Sequence, residues 1–578
     1  MVKRLALLLA AVTAVCGLLV AASFASDDKK AGFHTKVPKM LQGQNGASTQ
    51  ALISVGDTVG GHTFDSIPDG ISIAKVNGKG SFDILINHEL SPVPFGGPPT
   101  APRQDYSNAL VANLRLHQKS AGVLGGRYAI PSSPGYQRFC SNFIVGSEHG
   151  FERSLLFTNE EARDIVVRQQ DSWHGPLPVP PGGVQLSEPG AEQAGVVVAY
   201  DVKSGSYKSI YGMGRHNHEN AVGVPGYGYP VVLSGDDTFD APASQLYLYK
   251  AANGAAVWND QGALYAFKSD NPAINDYGDV TAGMTVTGHF IEVPRMIATG
   301  KRADGKDVTS ADLGYPPPPL TTIPNGPQWV LEHWSNLNNV FQFIRIEDTA
   351  YDRTNPRVMY MADTGEPRAI PDPATGRLMR GPSGTQGPYP NGRLWKLELG
   401  ADPLTGAKLS IAPNANFDTL GYRTTAAVHN PDNLETTKKA VYIQEDPGSH
   451  QSQPSFAGAT NARIWQYDLA TGTLKVVAEV DQSMSPITNK GAWESSGIVD
   501  ASSVLGAGAF LVDVQAHGWD TPVPGGNDPP AVQQREHGQL LVLRVPGEGV
   551  NAPPGIGKVK GKSDPPGKEK GKGKGKGK

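Results

Sequence analysis

Apolar residues along this chain come in short runs separated by Gly, Pro, Ser and Asp, a pattern of strands joined by turns. The first runs stand at 52–55, 71–76, 83–86, 154–158, 195–201, 207–212, 231–233, 245–250 and 263–268. Later ones lie at 341–346, 357–362, 392–399, 440–444, 463–469, 473–480, 508–514 and 538–545. Between 245 and 250, Leu246 and Leu248 alternate with Tyr247 and Tyr249, the two-residue period of a strand. Ser204-Gly205 and Ala470-Thr471-Gly472 each divide a pair of runs as a hairpin turn would. Residues 106–119 depart from the pattern: Leu110, Val111, Leu114 and Leu116 have helical spacing, with several possible faces. The Pro/Gly-rich stretch 171–193 reads as a loop, and 269–335, low in periodicity, as a long excursion from the core.

The ends differ from this middle. Lys3-Arg4, an apolar segment over 5–20 and small residues over 22–26 give the three parts of a secretory signal, so cleavage near 25 is expected. The apolar segment is short of the ~20 residues a membrane span needs. Residues 26–49 are polar and predict a mobile leader; 546–578 are rich in Gly, Pro and Lys, too poor in apolar residues to bury a core, and predict a disordered tail. That leaves 50–545 as the folded domain, all β. Composition adds little to this picture but excludes much. A net charge of −4 gives no reason to expect nucleic acid. Removing Cys16 with the signal leaves Cys140 alone, so no intramolecular disulfide forms, and a buried structural thiol is the expectation for it.

Candidate chemistry appears where the runs end. Asn87-His88-Glu89, Glu160-Glu161, His218-Glu219, Asp236-Asp237, Glu347-Asp348, Glu445-Asp446 and Glu494 stand at or beside strand-like segments. A single Asp-Asp pair is more often a solvated turn. Recurrence from residue 87 to residue 517 argues for one site fed by many strands. No repeat of fixed length is visible, yet a β-propeller brings such distant loops to one channel, and a single large propeller of six blades with loop and short helical insertions is the expected fold. No Gly-x-Ser-x-Gly elbow is present, and no two acids stand out for glycoside hydrolysis. Many carboxylates sharing one channel suit a hard cation such as calcium, which also relieves their mutual repulsion.

The order of these pieces resembles the PhoX-type alkaline phosphatases. The matching residues are Asn87-His88-Glu89, the strand at 155–158 with Glu160-Glu161, and the Gly-Arg-x-x-His-Glu of 214–219. Gly235-Asp236-Asp237, Arg345-x-Glu347-Asp348, Pro431-Asp432-Asn433-Leu434, Glu445-Asp446 and the Val-Gln-x-His-Gly of 514–518 follow. The resemblance implies a secreted six-bladed propeller with an iron–calcium cluster. It implies Glu219 and Glu347 as cluster ligands, Arg345 as a phosphate clamp, and Asp432, Glu445, Asp446 and Glu494 as calcium ligands; Glu89, Glu160, Glu161, Asp236 and Asp237 complete the candidate metal set. Asn159 stands where the family has a cysteine in Thr-x-Cys-Glu-Glu, a second candidate catalytic position, and an amide there suits calcium rather than iron. Cys140, nineteen positions before Asn159, does not replace that cysteine by local spacing.

Two functions are therefore open. One is a secreted metal-dependent phosphoesterase acting on a small phosphorylated substrate, monomeric and without a membrane span once the signal is cleaved. The other is a non-catalytic, calcium-stabilised propeller for binding or cell-surface architecture, with the cationic tail touching anionic polymers.

Overall fold

The computed structural model describes residues 31–551 except 79, 92–107, 169–185, 187–188, 239–243, 320–322, 374–375, 383, 422–424, 451–459, 486–487, 489 and 518–535. The signal, the first residues of the leader, most of the 171–193 loop and most of the tail lie outside the described residues.

Strands pair antiparallel in meanders of four. The first is Pro68–Asn77, Ser81–His88, Leu110–His117 and Val123–Ile130; the second is Phe139–Val145, Leu155–Glu160, Val197–Asp201 and Tyr207–Ile210. The third, His218–Gly223, Val231–Asp236, Leu246–Lys250 and Ala263–Ser269, extends through Val286–Glu292. That extra strand pairs with Ala407–Asn416 and so fuses the third meander to the fourth, which runs Ile346–Tyr351, Val358–Asp363, Arg393–Glu398 and Ala407–Asn416. The fifth is Pro431–Thr436, Ala440–Glu445, Arg463–Asp468 and Leu474–Val480. The sixth takes Glu494–Asp500, Ala509–Ala516 and His537–Arg544 from the C-terminal end and Ser48–Ser54 from the N-terminal end.

The opening strands of these meanders touch in a ring, from 68–77 to 139–145, 218–223, 346–351, 431–436, 494–500 and back to 68–77. Six apolar cores lie between neighbouring meanders. Leu85, Val111 and Ile130 of the first meet Leu156 and Val198 of the second, and Tyr442 and Ile464 of the fifth meet Phe510 and Leu541 of the sixth. Each sheet is thus buried on both faces, and the arrangement is a β-propeller with six blades among the described residues.

Double-sided burial explains the one misread element. Leu110, Val111, Ala112, Leu114 and Leu116 are all buried in the strand Leu110–His117, so the run lacks polar alternation and imitates a helical stripe. Two other expectations are corrected. Leu41–Gly43 pairs with 478–480, and Met40 and Leu41 are fully buried, so the stretch 31–49 is part of the fold rather than a leader. The segment 269–335 contributes the strand Val286–Glu292 and the helix Pro327–Leu337, which packs through Val330, Leu331 and Trp334.

Candidate metal centre

Five opening strands carry a register shift near their start: Pro68/Ile71, His218/Ala221, Ile346/Thr349, Pro431/Leu434 and Ser496/Ile498. A bulge re-aims a side chain. Asp69, Glu219, Glu347 and Asp432 sit inside four of these irregularities, at one mouth of the ring. The second strand of a blade ends at the same mouth, where Glu161, Asp237 and Asp446 follow Leu155–Glu160, Val231–Asp236 and Ala440–Glu445.

Among the described residues these acids form five overlapping groups, each with ligand atoms within 4.8 Å of one another. In order they are Asp69, Glu89 and Cys140; Cys140, Glu161 and Glu219; Glu161, Asp237 and Glu347; Glu219, Glu347 and Asp432; and Asp432, Asp446 and Glu494. Nine carboxylates and one thiol are thereby linked across all six blades. Burial, then like charge nearby, pushes Glu161, Glu219, Glu347 and Asp432 well above the usual carboxylate range. Burial and then Asp69 lift Glu89 to about 7, and burial followed by Asp69 raises the Cys140 thiol. Among the described residues, Arg345 and His517 are cations set against this charge. Arg345 donates from Nε and Nη2 to the two oxygens of Asp237 at 2.6 and 2.7 Å and lies 3.0 Å from Glu347. Burial opposes the charge on His517, but Glu536 and Glu494, each 3.0 Å away, hold it protonated.

The donor set fits bound cations. Like charges this dense and this buried are held together by multivalent ions or by protons, and ions satisfy the oxygens as well as the charge. Three groups offer only oxygen and suit calcium or magnesium, whereas the two that contain Cys140 suit a more thiophilic ion.

Several sequence-derived candidates lie elsewhere. Glu160 accepts from Arg168 at 2.6 and 2.7 Å and from the main-chain N–H groups of Gln137, Gly195 and Val196. Glu445 is likewise taken up by Arg463, Trp465 and the N–H of His429. Asp236, accepting from Thr238, lies 3.9 Å from His216, outside the groups. The amide nitrogen of Asn159 donates to the carbonyl of Ser141 at 2.9 Å while its buried Oδ1 lacks a protein partner. In each of Glu160-Glu161, Asp236-Asp237 and Glu445-Asp446 the second residue reaches the cluster and the first stays with its own blade, because successive side chains of a strand point to opposite faces.

The reverse error concerns Asp69 and Cys140. Cys140 lies on the strand beside Asn159, where Thr158 pairs with Asn142 and Glu160 with Phe139, so it enters the cluster through strand pairing rather than sequence spacing. Asp69 was marked only by Pro68-Asp69-Gly70-Ile71, the counterpart of Pro431-Asp432-Asn433-Leu434.

The placement of Glu160 has a measurable consequence. Glu160→Gln is expected to lower stability by about 3–5 kcal/mol, the effect of breaking a buried ion pair, while metal content stays unchanged. Urea unfolding and elemental analysis check the two halves; loss of metal would return Glu160 to the ligand set.

No family model matches the chain, and no curated protein gives a significant sequence match. Among solved structures it is similar to Pseudomonas fluorescens PhoX in complex with vanadate, a transition state analogue, with 16% identity and a TM-score of 0.53 over 90% of this chain and 98% of that one. NanB sialidase from Streptococcus pneumoniae aligns at 8% identity over 87% of this chain and 70% of that one, but its TM-score of 0.33 is too low to bear on the fold. Among the described residues no helix is long and apolar enough to cross a membrane. With a ring of four-stranded blades matched across nearly the whole of both chains, the protein has a PhoX-like β-propeller fold.

Proposed function

We propose that this chain is an exported, metal-dependent phosphoesterase that hydrolyses phosphate monoesters at the cluster in the propeller mouth. The observation that carries the reading is the overlap of the five groups, with Cys140, Glu161, Glu219, Glu347 and Asp432 each shared by two of them and a guanidinium lodged among them. The PhoX-like fold supports it, and the PhoX structure holds a phosphoryl-transfer mimic, vanadate. Export rests on the sequence alone, through Lys3-Arg4, the apolar segment 5–20 and the small residues after it.

Hydrolysis joins a water oxygen to phosphorus and releases the alcohol with a proton. Bound cations would neutralise the phosphate oxygens and stabilise the charge of the transition state. The chain would supply their ligands from Asp69, Glu89, Cys140, Glu161, Glu219, Asp237, Glu347, Asp432, Asp446 and Glu494. Arg345 offers a planar fork matched to two phosphate oxygens, and Asp237, its partner here, also belongs to a candidate ligand group, so bound ions would compete with the arginine for that carboxylate. The cofactor reading follows the donors: calcium at the oxygen-only groups, and iron or a similar ion at Cys140, which supplies the thiolate that Asn159 does not.

A generic phosphomonoester tests the proposal. Turnover that depends on added calcium and iron, vanishes with chelator and falls roughly 100-fold or more in Glu347→Ala is expected. Absence of chelator-sensitive turnover under every metal supplement would overturn it. The second reading, a calcium-stabilised binding propeller, is favoured by the occupied fork of Arg345; it gives a calcium-dependent rise in melting temperature without turnover in the same experiment.

A further inference from the structure

Asp513 stands outside the five groups and has the least satisfied carboxylate near them. It is fully buried on Ala509–Ala516, and neither of its oxygens has a hydrogen-bond partner. Its neighbours are differently placed. Asp69 accepts from the Cys140 thiol at 3.1 Å, from Ser496 at 2.8 Å and from Gln515 at 3.1 Å, and Glu494 is paired with His517. Both acids face Asp513 closely enough that, after burial itself, Asp69 and then Glu494 are what disfavour its charge.

Other oxygens lie nearby, one of them also without a partner. Gln515, two positions along the strand and on the same face, uses its amide nitrogen on Asp69 and Glu89, leaving its buried Oε1 without a partner. Across the seam, the main-chain carbonyl of Asp69 and Oδ2 of Asp513 flank Gly497. A Cβ there would lie 2.5 Å from the first and 2.9 Å from the second. Gly497 has φ +46, so both its conformation and the space beside it favour a residue without a side chain.

We propose that Asp513, the main-chain carbonyl of Asp69 and the side-chain carbonyl of Gln515 hold a further hard cation, of the calcium class, in the seam between the sixth and first blades. Carboxylate, peptide carbonyl and amide carbonyl are the ligand types calcium takes in flexible, oxygen-only sites. A proton is the poorer alternative, because a neutral carboxyl at 513 still leaves both of its oxygens without partners. The site has a structural logic. The sixth blade is completed by the N-terminal strand Ser48–Ser54, and the ring closes where Glu494–Asp500 meets Pro68–Asn77. A cation there ties the last blade to the first independently of any reaction at the cluster.

The test therefore reads calcium and melting rather than turnover, and its outcome is separable from that of the phosphoesterase assay. Asp513→Asn is expected to bind one calcium fewer per chain, by elemental analysis of protein dialysed against calcium. The calcium concentration that gives half the rise in melting temperature should shift upward by at least about tenfold. An unchanged calcium count with an unchanged calcium dependence would overturn the proposal, as would a variant that melts higher with no calcium lost, the signature of a protonated Asp513. If Asp513→Asn does not fold, Asp513→Glu gives the reading by keeping the charge on a longer arm: a shifted calcium dependence supports the site, and an unshifted one removes it.

Discussion

The gap in melting temperature between metal-loaded and metal-stripped protein is expected to widen as pH rises from about 5 to about 8. In the stripped protein the buried acids of the cluster keep their protons above the usual carboxylate range. Glu89 is displaced to about 7 by burial and then Asp69, and Glu161, Glu219, Glu347 and Asp432 are likewise pushed well above the usual carboxylate range. A group whose folded value is raised holds a proton that the unfolded chain has already released. Stability therefore falls with pH between the unfolded value, 4.5 for glutamate, and the folded one. For Glu89 alone that window ends near 7, and its contribution is about 3 kcal/mol. Loaded protein behaves oppositely at these residues, because each ligand must be deprotonated to bind, and acid releases the ions. Buried acids outside the cluster, such as Asp363, raised to about 6, act alike in both forms and cancel from the gap. Melting curves at several pH values, with chelator and with excess calcium and iron, measure it. A gap that stays constant or narrows with pH would mean that these carboxylates are not where the ions bind.

Much of the propeller was readable because its turns are written in Gly, Pro, Asn and Asp, and because strand-end acids recur. The segment 110–117 was not, since burial on both faces removes the alternation that marks a strand. The repeat was hidden for another reason. Asp69-Gly70-Ile71, Glu219-Asn220-Ala221, Glu347-Asp348-Thr349 and Asp432-Asn433-Leu434 occupy equivalent bulges, but insertions of unequal length separate them, so no fixed period exists to detect. Within acidic pairs the choice between neighbours depends on which face each presents. Glu160 and Glu161 are chemically alike in sequence, yet one binds Arg168 and the other joins the cluster. Cys140 needed more still, because its partners Asp69, Glu89, Glu161 and Glu219 come from three blades.

Cys140→Ser should accordingly have the largest effect on which metals are bound. The thiol belongs to two groups, one with Asp69 and Glu89 and one with Glu161 and Glu219, so a thiolate there is placed to serve two ions. Burial and the surrounding carboxylates keep it protonated without metal, so ionisation and metal binding go together. A serine hydroxyl is a poor substitute, since it is harder and ionises far less readily, and iron or another thiophilic ion loses its distinguishing ligand. Folding is not expected to suffer, because serine can still donate to Asp69 as the thiol does at 3.1 Å. The variant should keep calcium at the three oxygen-only groups and lose iron, any thiolate-to-metal absorption band and turnover, the last by roughly 100-fold or more. Asn159→Cys should change iron content far less, as Cys140 already offers a thiol to two groups and the Asn159 amide nitrogen is engaged with the Ser141 carbonyl. Elemental analysis with visible spectroscopy on the three proteins decides the matter: equal iron in wild type and Cys140→Ser would remove Cys140 from the centre and leave an all-oxygen cluster.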